Sequence, residues 1–214
     1  MKKICLLQPG IFVLLFLTIS SNSVSQVSYN IIPESSKMTI QGTSSMHNWE
    51  MEVTEMEFTT TILINDDHIK SIGDTWFSCK TTSIVSDYAL MDKKTYEALK
   101  AEEYSTISFR MTNDKVISPA GVDFVGNVKG YLSVAGRGKE IDIPFQARFL
   151  SGGDIELKGE VPLKMSDFDI DPPSALMGAL KTGDEVWISY LLKLGKDNSK
   201  NTVATMNSGS DDSE

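Results

Sequence analysis

Catalysis or metal binding needs titratable or nucleophilic side chains at short, defined spacings, and this chain has few candidates. It holds two histidines. His47 lies in Ser45-Met46-His47-Asn48 and His68 follows Asn65-Asp66-Asp67, two turn-like segments far apart. Neither fits a zinc spacing, and both read as loop-edge residues. Asp167, Asp169 and Asp171 stand at the i, i+2, i+4 positions of a calcium loop, but Pro172 falls where the turn glycine belongs and Gly178 where the bidentate glutamate belongs. An EF-hand is therefore rejected, and the three acids read as a polar turn at a strand end. There is no Gly-x-Ser-x-Gly elbow and no phosphate-cradling glycine loop. Cys79 has only Lys80 as a basic neighbour in sequence and reads as a buried, inert thiol, since reactivity requires an exposed electropositive setting. No catalytic residue, metal or cofactor is assigned, and the protein is expected not to be an enzyme. A hydrolase or isomerase built on a cleft carboxylate such as Asp87 or Asp167 is the weakest alternative.

The N-terminus predicts export. Lys2 and Lys3 precede an apolar run from Ile11 to Ile19, followed by small polar residues that end in the small-x-small triplet Ser23-Val24-Ser25, the layout of a secretory signal peptide. The run is about half the ~20 residues a spanning helix requires, so residues 1–25 are expected to be removed, with cleavage before Gln26. Cys5 precedes the run and leaves with it, so it cannot be a lipoprotein cysteine, and Cys79 alone remains. No intramolecular disulfide can then form. Removal takes two lysines and no carboxylate, which lowers the net charge from −9 to −11. An acidic chain is disfavoured as a binder of nucleic acid or of an acidic membrane surface. No later apolar stretch could span a bilayer, and stable membrane insertion is not expected. The remaining chain fits one domain, 26–196, followed by a polar tail over 197–214 with little to bury, which reads as disordered. The expected location is the periplasm or the extracellular space.

The elements that must position any site are strands. Ile141, Ile143, Phe145, Ala147 and Phe149 alternate with Asp142, Pro144, Gln146 and Arg148, a strand with one dry and one wet face. Ile155, Leu157, Val161, Leu163 and Met165 continue the pattern after the Gly152-Gly153 turn, which predicts a hairpin. Trp49, Met51 and Val53 share one phase while Met56 and Phe58 take the other, and a β-bulge near Thr54–Glu55 would return all five to one face. Further strands are expected at 36–41, 69–78, 105–113, 121–135 and 184–194. A run of helix formers from Leu90 to Ala101 predicts a helix capped near Asp87, and Pro172-Pro173 before Ser174 predicts a second short helix or an ordered loop. The fold class expected is all-β: a lipocalin-like antiparallel β-barrel of about eight strands with one or two short helices, although alternation alone leaves a sandwich open.

An eight-stranded barrel can hold one small ligand or be filled by side chains. On the first reading, Trp49, Met51, Val53, Phe58, Phe109, Met111, Phe145 and Phe149 line the interior, and the helix covers its mouth with Leu90, Tyr96 and Leu99 facing inward. The ten methionines of the chain suit an adaptable wall. The partner expected is an apolar, lipid-like molecule, with a second copy in a homodimer as the protein partner. On the second reading the barrel is solid and serves as an envelope interaction or stress-response module.

Several segments, in order, resemble the YceI-like family of bacterial envelope barrels. They are Ser45-Met46-His47-Asn48-Trp49-Glu50-Met51; Ser86-Asp87-Tyr88-Ala89-Leu90 through Tyr96 to Tyr104-Ser105-Thr106-Ile107-Ser108-Phe109; and Lys129-Gly130-Tyr131-Leu132-Ser133-Val134-Ala135-Gly136 with Ile141-Asp142-Ile143-Pro144-Phe145. The closing pair is Met165-Ser166-Asp167-Phe168-Asp169-Ile170 and Thr182-Gly183-Asp184-Glu185-Val186. The resemblance covers residues 36–194. It implies a lipocalin-like barrel holding a lipid, polyisoprenoid or fatty-acid-like, with no catalytic residues to carry over. The chain departs from the family pattern where Ser86 and Met165-Ser166 replace arginines and Asp169 replaces a glycine, so headgroup contacts by those arginines are not implied here.

Overall fold

The computed structural model describes residues 24–65, 68–113, 115–116, 123–175 and 180–197. In chain order its strands are β1 (Val24–Ile31), β2 (Lys37–Ser44), β3 (Asn48–Val53), β4 (Met56–Asn65), β5 (His68–Lys80), β6 (Ile84–Val85), β7 (Thr106–Met111), β8 (Lys115–Val116), β9 (Asp123–Val134), β10 (Arg137–Phe149), β11 (Ile155–Lys164), β12 (Ser174–Ala175) and β13 (Leu180–Lys196), with helix α1 (Ala89–Ala98) between β6 and β7. Strands β1, β4, β5, β7, β9, β10, β11 and β13 bond in that order, and β13 returns to β1 through Tyr29 opposite Lys196 and Ile31 opposite Leu194. The result is a closed eight-stranded antiparallel barrel. No helix among the described residues is long and apolar enough to cross a membrane.

Two of the eight staves are broken. Strand β2 takes over from β1 along β13 after a 3-10 turn at Pro33–Ser35, and β3 precedes β4 across a gap at Thr54–Glu55. That gap is where the change of hydrophobic phase predicts a bulge. It is held by the Thr54 amide (2.9 Å) and hydroxyl (3.0 Å), both donating to the Ser83 carbonyl. Met51, Val53 and Phe58 are all buried as a result. A second irregularity lies between Thr59 and Thr61 on the β4–β5 ladder, beside Asp74 at φ 44°. The β9–β10 hairpin turns on Ala135 (φ 48°) and Gly136 (φ 78°), the positive pair that a tight two-residue turn requires.

Strand β1 was not foreseen from sequence. Val24 and Ser25 already pair with Asn65 and Ile64; residues 1–23, which hold most of the expected signal segment, lie outside the described residues. At the other end, the Asp197 amide donates to the Ser28 carbonyl at 2.8 Å, and the rest of the expected tail, 198–214, lies outside the described residues. Helix α1 starts after Tyr88 with no side-chain cap. The capping expected at Asp87 is replaced by a local knot in which the Ser86 amide and hydroxyl both donate to Asp92 at 2.7 Å. No second helix opens at Ser174: Ser174 and Ala175 pair with Lys181 and Leu180, and 176–179 lie outside the described residues. A 3-10 turn over Met165–Phe168 stands nearby instead.

The lower end of the barrel is solid. Tyr29 is fully buried, and its hydroxyl donates to the Gly153 carbonyl at 3.3 Å. Burial and the nearby Asp154 charge push that hydroxyl up to about 12. Phe124 and Phe149 meet edge to face at 5.6 Å, and Val27 packs in the same cluster. Higher up, aromatic rings lie over glycines of the adjacent strand. Trp49 faces Gly42, Phe145 faces Gly126 and Tyr190 faces Gly159 across their ladders, and a Cβ added at Gly42 or Gly159 would fall inside the ring atoms. Tyr190 is anchored across Gly159 by its hydroxyl, which donates to the Pro144 carbonyl at 2.6 Å, and burial pushes that hydroxyl well above the ordinary phenol range.

Two predictions arise from this packing. Gly159→Ala puts a methyl against both the Tyr190 ring and the Pro144 carbonyl, and should lower stability by about 1–3 kcal/mol, the usual cost of overpacking. Chemical denaturation measures this, and an unchanged midpoint would contradict the packing. Cys79 is buried and its thiol is pushed up to about 12 by burial. The folded state therefore holds the neutral thiol, so stability is unaffected below the unfolded thiol's value of about 8.5 and declines as pH rises past it. Cys79 should resist maleimide at about pH 8 and react once the chain is unfolded in denaturant. Fast labelling of Cys79 in the native protein, mapped by peptide mass spectrometry, is the contrary result.

Candidate functional site

Above the solid end the barrel is hollow. The cavity measures about 620 Å³, inside the range of about 300–1,000 Å³ typical of small-molecule sites. It runs from a floor at Phe124, Ile62 and Leu194 to a mouth formed by the β2–β3 turn at Ser44 and His47, the start of α1 at Tyr88 and Leu90, and Pro173, Ser174 and Thr182. The strands reach it through their inward alternate residues, which are almost all aliphatic, aromatic or sulfur-bearing. Two hydroxyls deep in the wall are bonded to each other and to the barrel backbone. Thr60 and Thr75 share a hydroxyl bond at 2.8 Å, and the Thr60 hydroxyl also lies 3.3 Å from the Gly73 carbonyl. A molecule inside would meet a surface that rewards apolar area, at about 0.8 kcal/mol for each methylene taken from water.

Most of the residues chosen from sequence meet in this cavity. Trp49, Met51, Val53 and Phe58 form its β3–β4 side, and Phe109 and Phe145 approach from β7 and β10. Leu90 and Leu99 contribute from the two ends of α1. Three of the chosen residues lie elsewhere. Phe149 belongs to the solid end, packed on Phe124. Met111, the last residue of β7, borders a small separate depression with Trp76 and Arg110. Tyr96 turns away from the cavity, and its hydroxyl donates to the Thr82 carbonyl at 3.0 Å. Ile141, Ile143, Leu157 and Leu163 also line the cavity, in the same alternation that marks Phe145. Val186, Ile188 and Tyr190 share the alternation of β13 and also line the cavity, as do Met38 and Ile40 from the shorter β2.

The helix faces the cavity with Met91, Lys94, Thr95 and Ala98, an i, i+3, i+4, i+7 stripe. Of the expected trio, Leu90 and Leu99 also line the cavity while Tyr96 does not, and the face between them is partly polar. Beneath it Met38, Met51, Val53, Cys79 and Ile84 form a small buried cluster, and the Thr95 hydroxyl donates to the Met51 sulfur at 3.3 Å. None of the residues of α1 itself is fully buried.

The rim beyond β11 is a built turn. Asp184 accepts from the Ser166 amide at 2.8 Å and from its hydroxyl at 2.7 Å, and these bonds hold its carboxyl below the usual range. Asp167 pairs with Lys139 at 2.6 Å and Asp169 with Arg137. The three acids of the calcium-like spacing are thus surface groups, two of them in ion pairs, and among the described residues no three His, Cys, Asp or Glu side chains gather as a metal site. His47 is exposed, with its Nδ1 2.8 Å from the Asn48 carbonyl.

The sequence model of the YceI-like domain matches residues 29–194, from inside β1 to near the end of β13. Among solved structures the chain is similar to BcnA of Burkholderia cenocepacia, at 17% identity over 76% of this chain and 98% of that one, with a TM-score of 0.60. It is similar also to a polyisoprenoid binding domain from Saccharophagus degradans implicated in plant cell wall breakdown, at 12% identity, 80% and 99% coverage and a TM-score of 0.61. A mutant YceI protein of Campylobacter jejuni matches at 15% identity over 92% of this chain and 99% of that one, with a TM-score of 0.51. At such identities these likenesses are of fold. None of the curated protein sequences matches the chain. The family match takes in most of the closed ring together with its hollow interior, and the chain belongs to the YceI-like domain family.

Proposed function

We propose that this protein is an exported carrier that holds an apolar, isoprenoid- or fatty-acid-like molecule inside its barrel and does not transform it chemically. The observation that carries the reading is the cavity of about 620 Å³, walled by apolar side chains and open at one end. The fold likeness to a domain named for polyisoprenoid binding adds support. Export is supported by the Lys2-Lys3 start, the short apolar run and the Ser23-Val24-Ser25 triplet. Carriage without chemistry fits a wall whose thiol and hydroxyls are buried or bonded to the barrel itself, as at Cys79, Thr60 and Tyr190.

Helix α1 is the gate in this reading. It lies at the mouth, has no fully buried residue, and is fastened at its flank by the Tyr96 hydroxyl on the Thr82 carbonyl and before its first turn by Ser86 on Asp92. Elements with few buried contacts open at low cost.

The direct test is extraction of the purified protein with organic solvent followed by mass spectrometry. A co-purifying isoprenoid or fatty chain is the expected result; an empty extract together with no uptake of an apolar dye would overturn the reading. For the gate, Tyr96→Phe removes one hydrogen bond and no packing. It should speed release of bound lipid severalfold and shift the melting temperature by no more than a few degrees, in line with a bond contributing about 1 kcal/mol. An unchanged release rate would make the helix a fixed wall.

A further inference from the structure

Among the described residues, the charged groups that reach the cavity are all of one sign. Among the described residues that line it, Lys94 and Lys164 are the ones charged at neutral pH, and no aspartate or glutamate is included. This holds in a chain with 29 acidic and 20 basic residues, where an unbiased rim would carry more carboxylates than amines. The two lysines come from separate elements, Lys94 from the inward stripe of α1 and Lys164 from the last residue of β11. Their side chains are 41% and 56% exposed. Lys94 stands on the inward stripe of α1, and Lys164 stands at the rim beside the inward Leu163, in the outward phase opposite Glu185. Both ammonium groups are thus held near the mouth, where the head of an amphiphile would emerge.

Both lysines have carboxylate partners, Glu97 at 2.7 Å from Lys94 and Glu185 at 3.9 Å from Lys164. Neither glutamate lines the cavity. Pairs this exposed are weak and screened by salt, so exchanging either partner for a ligand anion costs little.

We propose that the occupant is an amphiphile whose tail fills the barrel and whose anionic head, a carboxylate or a phosphate, is met at the mouth by Lys94 and Lys164. The inference rests on the apolar-cargo reading above and adds the chemistry of the head. A hydroxyl or ester head would accept hydrogen bonds from the same amines without the gain from opposite charge.

The experiment uses the protein stripped of bound lipid and four probes of one chain length: hexadecanoate, hexadecyl phosphate, hexadecanol and methyl hexadecanoate. Binding is followed at low salt and mildly alkaline pH by displacement of a neutral apolar dye. One or both anionic probes should bind about tenfold more tightly than the alcohol, and the tighter of the two names the head. Lys94→Gln and Lys164→Gln should each remove about threefold of that preference, the double variant nearly all of it, and hexadecanol affinity should stay constant throughout. Lys93→Gln, an exposed neighbour on α1 that does not line the cavity, should keep the preference. Equal or weaker binding of both anions relative to the alcohol, or a preference that survives in the double variant, overturns the anionic head and leaves the apolar cargo standing. Failure of all four probes to displace the dye overturns the cargo reading instead.

Discussion

Where Trp49 crosses Gly42, Phe145 crosses Gly126 and Tyr190 crosses Gly159, a ring occupies the space that a side chain on the next strand would have taken. Each ring then lies along the wall rather than across the tube. A closed ring of eight strands has room for only a few large side chains before its centre is full. Three such residues pointing at the axis would give a solid core. Laid over glycines, they cover backbone that glycine leaves bare, the pairing known to steady glycines in designed sheets, and the centre stays open. An open space of about 620 Å³ walled by apolar side chains presents its lining to water, and apolar surface that stays wet is where an apolar occupant gains most by binding.

The solid and hollow readings of the alternating strands turn out to describe different levels of the same barrel. Alternation tells which face a residue takes and says nothing about its height along the axis. Phe145 and Phe149 share a face of β10, yet the first lines the cavity and the second belongs to the packed end with Phe124 and Tyr29. Met111 fails for the same reason, as the inward residue at the very end of its strand. The bulge at Thr54–Glu55 was legible because the hydrophobic phase jumps there. Helix α1 was legible as an element and only partly as a face: it sits half-buried at an opening, so Leu90 and Leu99 reach the cavity alongside Met91, Ala98, Lys94 and Thr95, while Tyr96 turns away. Strand β1 was hidden because Val24 and Ser25 also read as the end of a signal segment. The glycine–ring pairs join residues on different strands, and no pattern along one strand records them.

Departures from the family pattern have local explanations at two of three places. Asp169 stands where the resembling motif has glycine, and it adopts the left-handed conformation at φ 54°, which aspartate tolerates better than most residues. The Ser86 position, an arginine in the motif, is used here to tie the entry of α1 to Asp92. At Met165-Ser166 the serine supplies both donors to Asp184, although nothing in the structure explains why a methionine precedes it.

Strand β13 bonds to β11 along one edge and, along the other, first to β2 and then to β1. Tyr29 meets Lys196 there, so the ring closes between the first and last staves of the chain. Until the final strand has been made, every shorter version of this sheet carries two open edges, and open edges are sites for mispairing between chains. Contacts between residues so far apart in sequence also slow folding. A nascent chain of this topology can form hairpins as it emerges, but it has no inside, and nothing to hold cargo in, before its C-terminal strand arrives. An enclosed interior is thereby a property of the closed ring alone, gained in one late step when β13 docks on β1.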